Sequence, residues 1–195
     1  MVKIGFIVEG GSEKIIIESD AFKAWLEQLG VELVRPVIDA KGGGNLLPKN
    51  IEPMVQTLKN QGVDHIVILT DLEDDPSVQI VKDRIGNLHT DHIYIAIKAI
   101  EAWYLADSAA MNSWLKSTTF YEQQPQATIN KPWDRIKEIA QEQGVPGPGA
   151  SKISFAKKMV KHHAFEVTNS AQHANCGSAS EFVVGITSLT GGAQP

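Results

Sequence analysis

Residues 67–76 read Val-Ile-Leu-Thr-Asp-Leu-Glu-Asp-Asp-Pro. An apolar, β-branched run ends in four carboxylates within five positions, Asp71, Glu73, Asp74 and Asp75. Like charges this close disfavour one another's ionisation unless solvent, a helix N-terminus or a cation offsets them. The stretch therefore reads as a buried strand that ends at a place needing positive charge.

Working outward, residues 3–8, 32–38, 65–70 and 92–97 are short Ile/Val-rich runs and read as strands. Between them, residues 12–29, 47–61 and 77–87 space their apolar positions three and four apart, as helices do. Ser12 suits the N-cap of the first helix and Gly30 the position after its end. Strand–helix repetition of this kind predicts an α/β fold, a mainly parallel sheet with helices on both faces. From residue 101 the pattern turns helical, with helices expected at 101–115, 132–143, 151–163 and 180–189 and a Gly/Pro loop at 144–149. The expectation is one domain over 1–189, a sheet core at 1–108 with a helical C-terminal extension at 109–189, and a flexible tail at 190–195.

With 195 residues, 43% hydrophobic and 21% charged, the composition is that of a globular protein with one sizeable core. The single cysteine, Cys176, excludes an intramolecular disulfide and a cysteine-based zinc cluster. The apolar run before Glu9 is only about five residues, too short for a signal peptide's core or a membrane span. A cytoplasmic protein with no membrane role is expected; the oligomeric state is open. The net charge of −5 argues against a general nucleic-acid binder, but it is unevenly spread. Residues 1–130 hold 11 Lys/Arg against 18 Asp/Glu, whereas 131–163 hold 7 against 3. An acidic front half and a basic segment behind it are compatible with a metal site facing a phosphate-bearing substrate.

In an open parallel sheet, ligands bind beyond the carboxyl ends of the strands. Glu9 ends the first expected strand, Asp71 and Glu73 follow the third, and Glu101 comes shortly after the fourth. Converging carboxylates without Cys suit a hard cation, Mg²⁺ or Mn²⁺. The plainer alternative is that such residues cap the following helices, as Asp74 or Asp75 would do just before a helix after Pro76. Gly10 and Gly11 equally serve a tight strand-to-helix turn.

Three stretches together carry a resemblance. IGFIVEGGSEKIII, residues 4–17, resembles the first motif of TOPRIM domains, a buried strand ending in Glu, a Gly turn and a helix. VILTDLEDD resembles the second, in which a later strand ends in Asp-x-Asp. The run Glu101-Ala-Trp-Tyr-Leu-Ala-Asp107, with KPWDRIKEI and CGSASEF after it, is similar to the TOPRIM-like bacterial family of unknown function numbered 4276. The TOPRIM resemblance implies phosphoryl transfer on nucleic acid, with Glu9 in acid/base chemistry or metal binding and Asp71 holding Mg²⁺. The second Asp position is occupied by Glu73, a departure that alters the reach to a cation. Glu13 and Glu101 match acidic positions of the unknown-function family. Relatives sit among bacterial defence and mobile-element functions, and a partner protein is compatible with that setting.

The loop Lys41-Gly-Gly-Gly-Asn45, with Gly43 at its centre, is either a flexible turn or a phosphate-contacting backbone to which Lys41 adds charge. Lys152, Lys157, Lys158 and Lys161 give the 151–163 helix a basic face, usually solvated but able to meet a phosphate backbone, with Lys157 as the chosen substrate contact. Trp103 and Tyr104 read as core before base-stacking. Glu101 and Asp107, six apart on a helix, project in different directions. The functional expectation is Mg²⁺-dependent phosphodiester chemistry, foremost nuclease activity. The alternatives are a non-catalytic metal- or nucleotide-binding module and a receiver-like fold phosphorylated at Asp71.

Overall fold

The computed structural model describes residues 1–90 and 92–190. Four strands, β1 (Val2–Val8), β2 (Val31–Asp39), β3 (His65–Asp71) and β4 (His92–Ala96), form one parallel sheet in the order β2-β1-β3-β4. Val8 pairs with Asp39 on one side and Leu69 on the other, and Asp71 pairs with Ala96, so the carboxyl ends share one rim. The chain leaves β1 to one side for β2 and returns on the other for β3. The winding therefore reverses between β1 and β3, where doubly wound sheets open a crevice.

Strand side chains alternate between two cores, each covered by helices, as a parallel sheet requires. Ile7, Ile66, Ile68, Ile93 and Ile95 pack with Ile51, Val55 and Leu58 of α3 (Pro48–Asn60) and Val81 and Ile85 of α4 (Val78–Ile85). Ile4, Phe6, Val8, Val67, Leu69 and Tyr94 face the larger core. That core is closed by α1 (Gly11–Ile17), α2 (Asp20–Gln28), α5 (Glu101–Ala106), α6 (Ser108–Leu115), α7 (Pro132–Glu142), α8 (Lys152–His162), α9 (Val167–Ala171) and α10 (Gly177–Ser188). The helices beyond residue 109 share this core with the sheet: Phe182 of α10 lies 5.3–6.3 Å, ring centre to ring centre, from Phe6, Phe22, Tyr94 and Trp103.

The helical boundaries depart from expectation at identifiable residues. The 12–29 helix is two, because the Ser19 side chain accepts the Phe22 N–H at 3.1 Å and starts α2 anew. Ser12 is no N-cap; Gly10 holds that position and Ser12 lies in the first turn. Gly30 follows the end of α2 with φ +73°, the left-handed value that glycine accommodates. The 101–115 helix breaks at Asp107, whose carboxylate caps α6 through the Ala110 N–H at 3.0 Å. The last helix begins at Gly177, and α9 was not expected at all. The expected tail at 190–195 falls, from residue 191, outside the described residues. Among the described residues no helix is long and apolar enough to cross a membrane.

Candidate functional site

Glu9 and Asp71 stand on either side of the switch point, one residue past β1 and at the last residue of β3. They are tied together: Glu9 Oε2 accepts the Asp71 backbone N–H at 3.1 Å and the hydroxyl of buried Thr70. Among the described residues nothing bonds Glu9 Oε1. Asp71 Oδ1 accepts the Ile100 N–H at 2.8 Å, just before α5. The plain reading of a strand-end acid as a helix-starting group therefore accounts for one of its two oxygens.

Two buried acids join them. Glu13, in the first turn of α1, is 4% exposed, and Glu101, first residue of α5, is 2% exposed. Glu101 Oε2 is met by the Lys152 ammonium at 3.0 Å. Burial pushes the Glu13 carboxyl up to about 7, with Glu9 and Glu101 adding to the rise and its own backbone N–H and Lys152 opposing it. Burial, then Glu13, Glu101 and Glu9, hold the Asp71 carboxyl well above the usual range. The Lys152 ammonium loses hydration by burial, yet the Glu101 carboxylate more than compensates and raises it. Among the described residues the Tyr104 hydroxyl, buried beside this cluster, has no hydrogen-bond partner, and burial with Glu101, Glu13 and Asp71 holds it strongly protonated.

A cavity of about 470 Å³ over the cluster is lined by Glu9, Glu13, Asp71, Glu101, Lys41 and Lys152, among others. A second, of about 350 Å³, lies across the Glu9–Asp71 wall and includes Gly43, Gly44, Glu73 and Arg84. Gly10 and Gly11 border the first cavity. Gly10 has φ −153°, open to any residue, but a Cβ on Gly11 would lie 2.8 Å from Ile153 Cδ1 where α8 crosses α1. The glycine loop after β2 reaches the same rim: the Gly42 N–H donates to Glu9 O at 2.9 Å. A Cβ on Gly43 would come within 3.5 Å of Glu9 Oε1. Lys41 is held by Asp39, whose carboxylate takes both its backbone N–H (2.8 Å) and its ammonium (2.6 Å).

Glu73 is exposed and lines the second cavity together with Glu9 and Asp71, from a left-handed backbone, φ +50°. Other expected residues are placed apart. Lys157 sits on the solvent side of α8 and lines none of these cavities; Lys152, one turn and more earlier, is the lysine that reaches the acids. Asp107 serves α6 and the Glu166 N–H (3.0 Å), away from the cluster. Asp74 and Asp75 cap nothing: they pair with Lys131 (3.2 Å) and Arg84 (2.7 Å), and Ser77 caps α4. Trp103 and Tyr104 are core, as expected. Lys152 was missed as a site member, because nothing in its local sequence distinguishes it from the solvated lysines of the same helix.

Among the described residues no group of three or more His, Cys, Asp or Glu side chains is gathered closely enough to hold a metal ion by itself. Magnesium does not demand one: it is commonly held by one or two carboxylates, with water and substrate phosphates completing its shell. All-oxygen donors and carboxyls pressed towards protonation fit a hydrated hard cation.

No protein-family model matches the chain, and no curated protein matches it. Among solved structures, the C-terminal region of the OLD protein of Xanthomonas campestris pv. campestris matches at a TM-score of 0.43 and 17% identity, over 97% of this chain and 95% of that one. That likeness is too slight to argue from, and the α/β class stands on the sheet described above.

Proposed function

We propose that the protein is a Mg²⁺- or Mn²⁺-dependent phosphodiesterase acting on nucleic acid, foremost a nuclease. The observation that carries this reading is the convergence of Glu9, Glu13, Asp71 and Glu101 at the switch point, with Glu13 and Asp71 driven towards protonation by burial and by their neighbours. Asp71 and Glu73 would hold the ion. Glu9 would be a further ligand or the general base, and Glu13 and Glu101 supporting acidic residues. Bound there, a divalent ion supplies polarisation of a phosphodiester and stabilises charge on its oxygens. The chain's own part is orientation: Thr70 and the Asp71 N–H fix Glu9 so that its other oxygen is left to accept a proton. The TOPRIM resemblance of residues 4–17 and 67–75 supports the same assignment, with Glu73 as its departure.

Calorimetry tests it. Mg²⁺ and Mn²⁺ are titrated into wild type and Asp71→Ala, and the same samples are incubated with labelled DNA and RNA. Binding lost in the variant, with Mn²⁺-dependent cleavage by wild type, is expected. No Asp71-dependent binding removes the reading.

One observation favours a second reading, a non-catalytic metal- or nucleotide-binding module that regulates or assembles with a partner protein. The Lys152–Glu101 pair already places a cation at the cluster. That reading predicts binding without cleavage in the same experiment.

A further inference from the structure

Beside the acids lies a third depression, of about 150 Å³. Lys98, Lys131 and Lys152 line it together with Ile129, Asn130 and Pro132, and so do the carboxylates of Glu73, Asp74 and Glu101. Three lysines face three acids there, so what the hollow can bind depends on which of the lysines are paired.

The three are not equally committed. Lys152 is paired with buried Glu101. Lys131 meets Asp74 at 3.2 Å, but both side chains are largely exposed, so water screens the pair. Lys98 makes no ion pair among the described residues. Its ammonium donates to the carbonyls of Thr128 and Asn130, which accept the hydrogen bonds and leave the charge uncompensated.

The backbone imposes this placement. Lys98 has φ +63° and Glu73 φ +50°, and the Glu73 N–H donates to Lys98 O at 2.8 Å. Left-handed conformations at two non-glycine residues persist only where the surroundings over-determine them, and such residues gather at functional sites. Helix α7, eleven residues long, begins at the same hollow with no side-chain cap among the described residues, and Asp134 in its first turn, paired with Lys137 at 2.9 Å, offsets part of its positive end. Lys98 also clamps the carbonyls on both sides of Ile129, whose side chain is fully exposed at the lip.

We propose that this hollow is a phosphate subsite. It takes a non-reacting phosphate group of a nucleic-acid strand, next to the one held at the carboxylates, and Ile129 gives the adjoining sugar or base an apolar rest. The nuclease reading enters only in naming what carries the phosphate.

The test uses ¹⁵N-labelled full-length protein in a chelator, titrated with inorganic phosphate. Amide shifts at Lys98, Ile129, Asn130 and Trp133 are expected. Lys131→Ala, an exposed position that leaves the core intact, should weaken binding by about tenfold, the scale of one charge-assisted hydrogen bond. Lys98→Met should weaken it at least as much. Shifts confined to residues 42–44, or wild-type binding by Lys131→Ala, overturn the subsite. In a second arm, a phosphorothioate-blocked oligonucleotide and a nucleoside monophosphate compete for the bound phosphate. Displacement by the oligonucleotide supports a strand, whereas displacement by the mononucleotide alone overturns that assignment. Phosphate bound at Lys98 in a protein that cleaves nothing leaves the subsite standing and removes the nuclease.

Discussion

The Glu9 carboxylate accepts the backbone N–H of Asp71 at 3.1 Å, so the end of β3 orients the acid that follows β1 across the switch point. Thr70 adds its hydroxyl to the same Glu9 oxygen. This separates a structural from a chemical role for Glu9. Glu9→Gln retains an oxygen able to accept both donors, so its stability should stay within about 1 kcal/mol of wild type while metal affinity and any cleavage fall. Glu9→Ala strands both donors and should cost about 1–3 kcal/mol. Urea denaturation of the pair checks this, and equal stability of the two variants would show that the hydrogen bonds contribute nothing.

Glu13 makes the metal-free protein pH-sensitive. Its folded carboxyl is raised by burial from 4.5 to about 7, so the folded state holds the proton more tightly than the unfolded state. The stability linked to it is complete below about 4.5 and is lost as pH rises through about 7. At 1.36 kcal/mol per pH unit the loss is about 3 kcal/mol. Denaturation in a chelator from about pH 4 to about pH 8 should show wild type losing ground to Glu13→Gln by that order. Parallel stability curves for the two proteins would refute the linkage.

Tyr104 predicts a split between stability and binding. Its ring packs 4.6 Å from Phe165 and 5.6 Å from Phe155, centre to centre, while its hydroxyl is buried without a partner. Tyr104→Phe keeps the packing and removes an unpaired donor, so the metal-free protein should be unchanged or more stable by about 1 kcal/mol. If that hydroxyl serves a hydrated ion, Mn²⁺ affinity should fall in the same variant. Calorimetry beside thermal melting reads both; a loss of stability with unchanged affinity would make Tyr104 a purely structural residue.

The sheet was legible because strands buried on both faces read as unbroken apolar runs, and FIV before Glu9 and VILT before Asp71 are such runs. Strand ends in a parallel sheet share a rim, so Glu9 and Asp71 followed. What failed was whatever tertiary docking decides. Lys152 and Lys157 look alike in sequence; the crossing of α8 over Gly11 selects Lys152 for Glu101. The exposure of Glu73 comes from its left-handed backbone and its bond to Lys98, 25 residues away in the chain and invisible to spacing. Ser19 and Asp107 break helices inside stretches whose apolar periodicity continues across the break. Helix α9, at five residues, is too short to show a period.

Gly185 of α10 tests whether the C-terminal helix belongs to the same core as the site. The helix lies against β4 so closely that a Cβ at position 185 would come within 2.5 Å of Tyr94 Cε1 and Cζ and closer still to its hydroxyl. Tyr94 is anchored in the sheet and packed edge-on to Phe182 at 5.3 Å, so the ring has little room to yield. Gly185→Ala should therefore lift α10 and cost about 1–3 kcal/mol, the usual range for overpacking. Phe182→Ala leaves the helix seated but empties the junction of four rings, at about 3–5 kcal/mol. Because Ser178 of α10 accepts the Trp103 indole N–H at 2.9 Å and Trp103 lies on α5 with Glu101, displacement of α10 should also reach the acids. Gly185→Ala should lower metal affinity together with stability. Melting curves with and without Mn²⁺ decide it: an unchanged Mn²⁺-induced shift in Tm would separate α10 from the site.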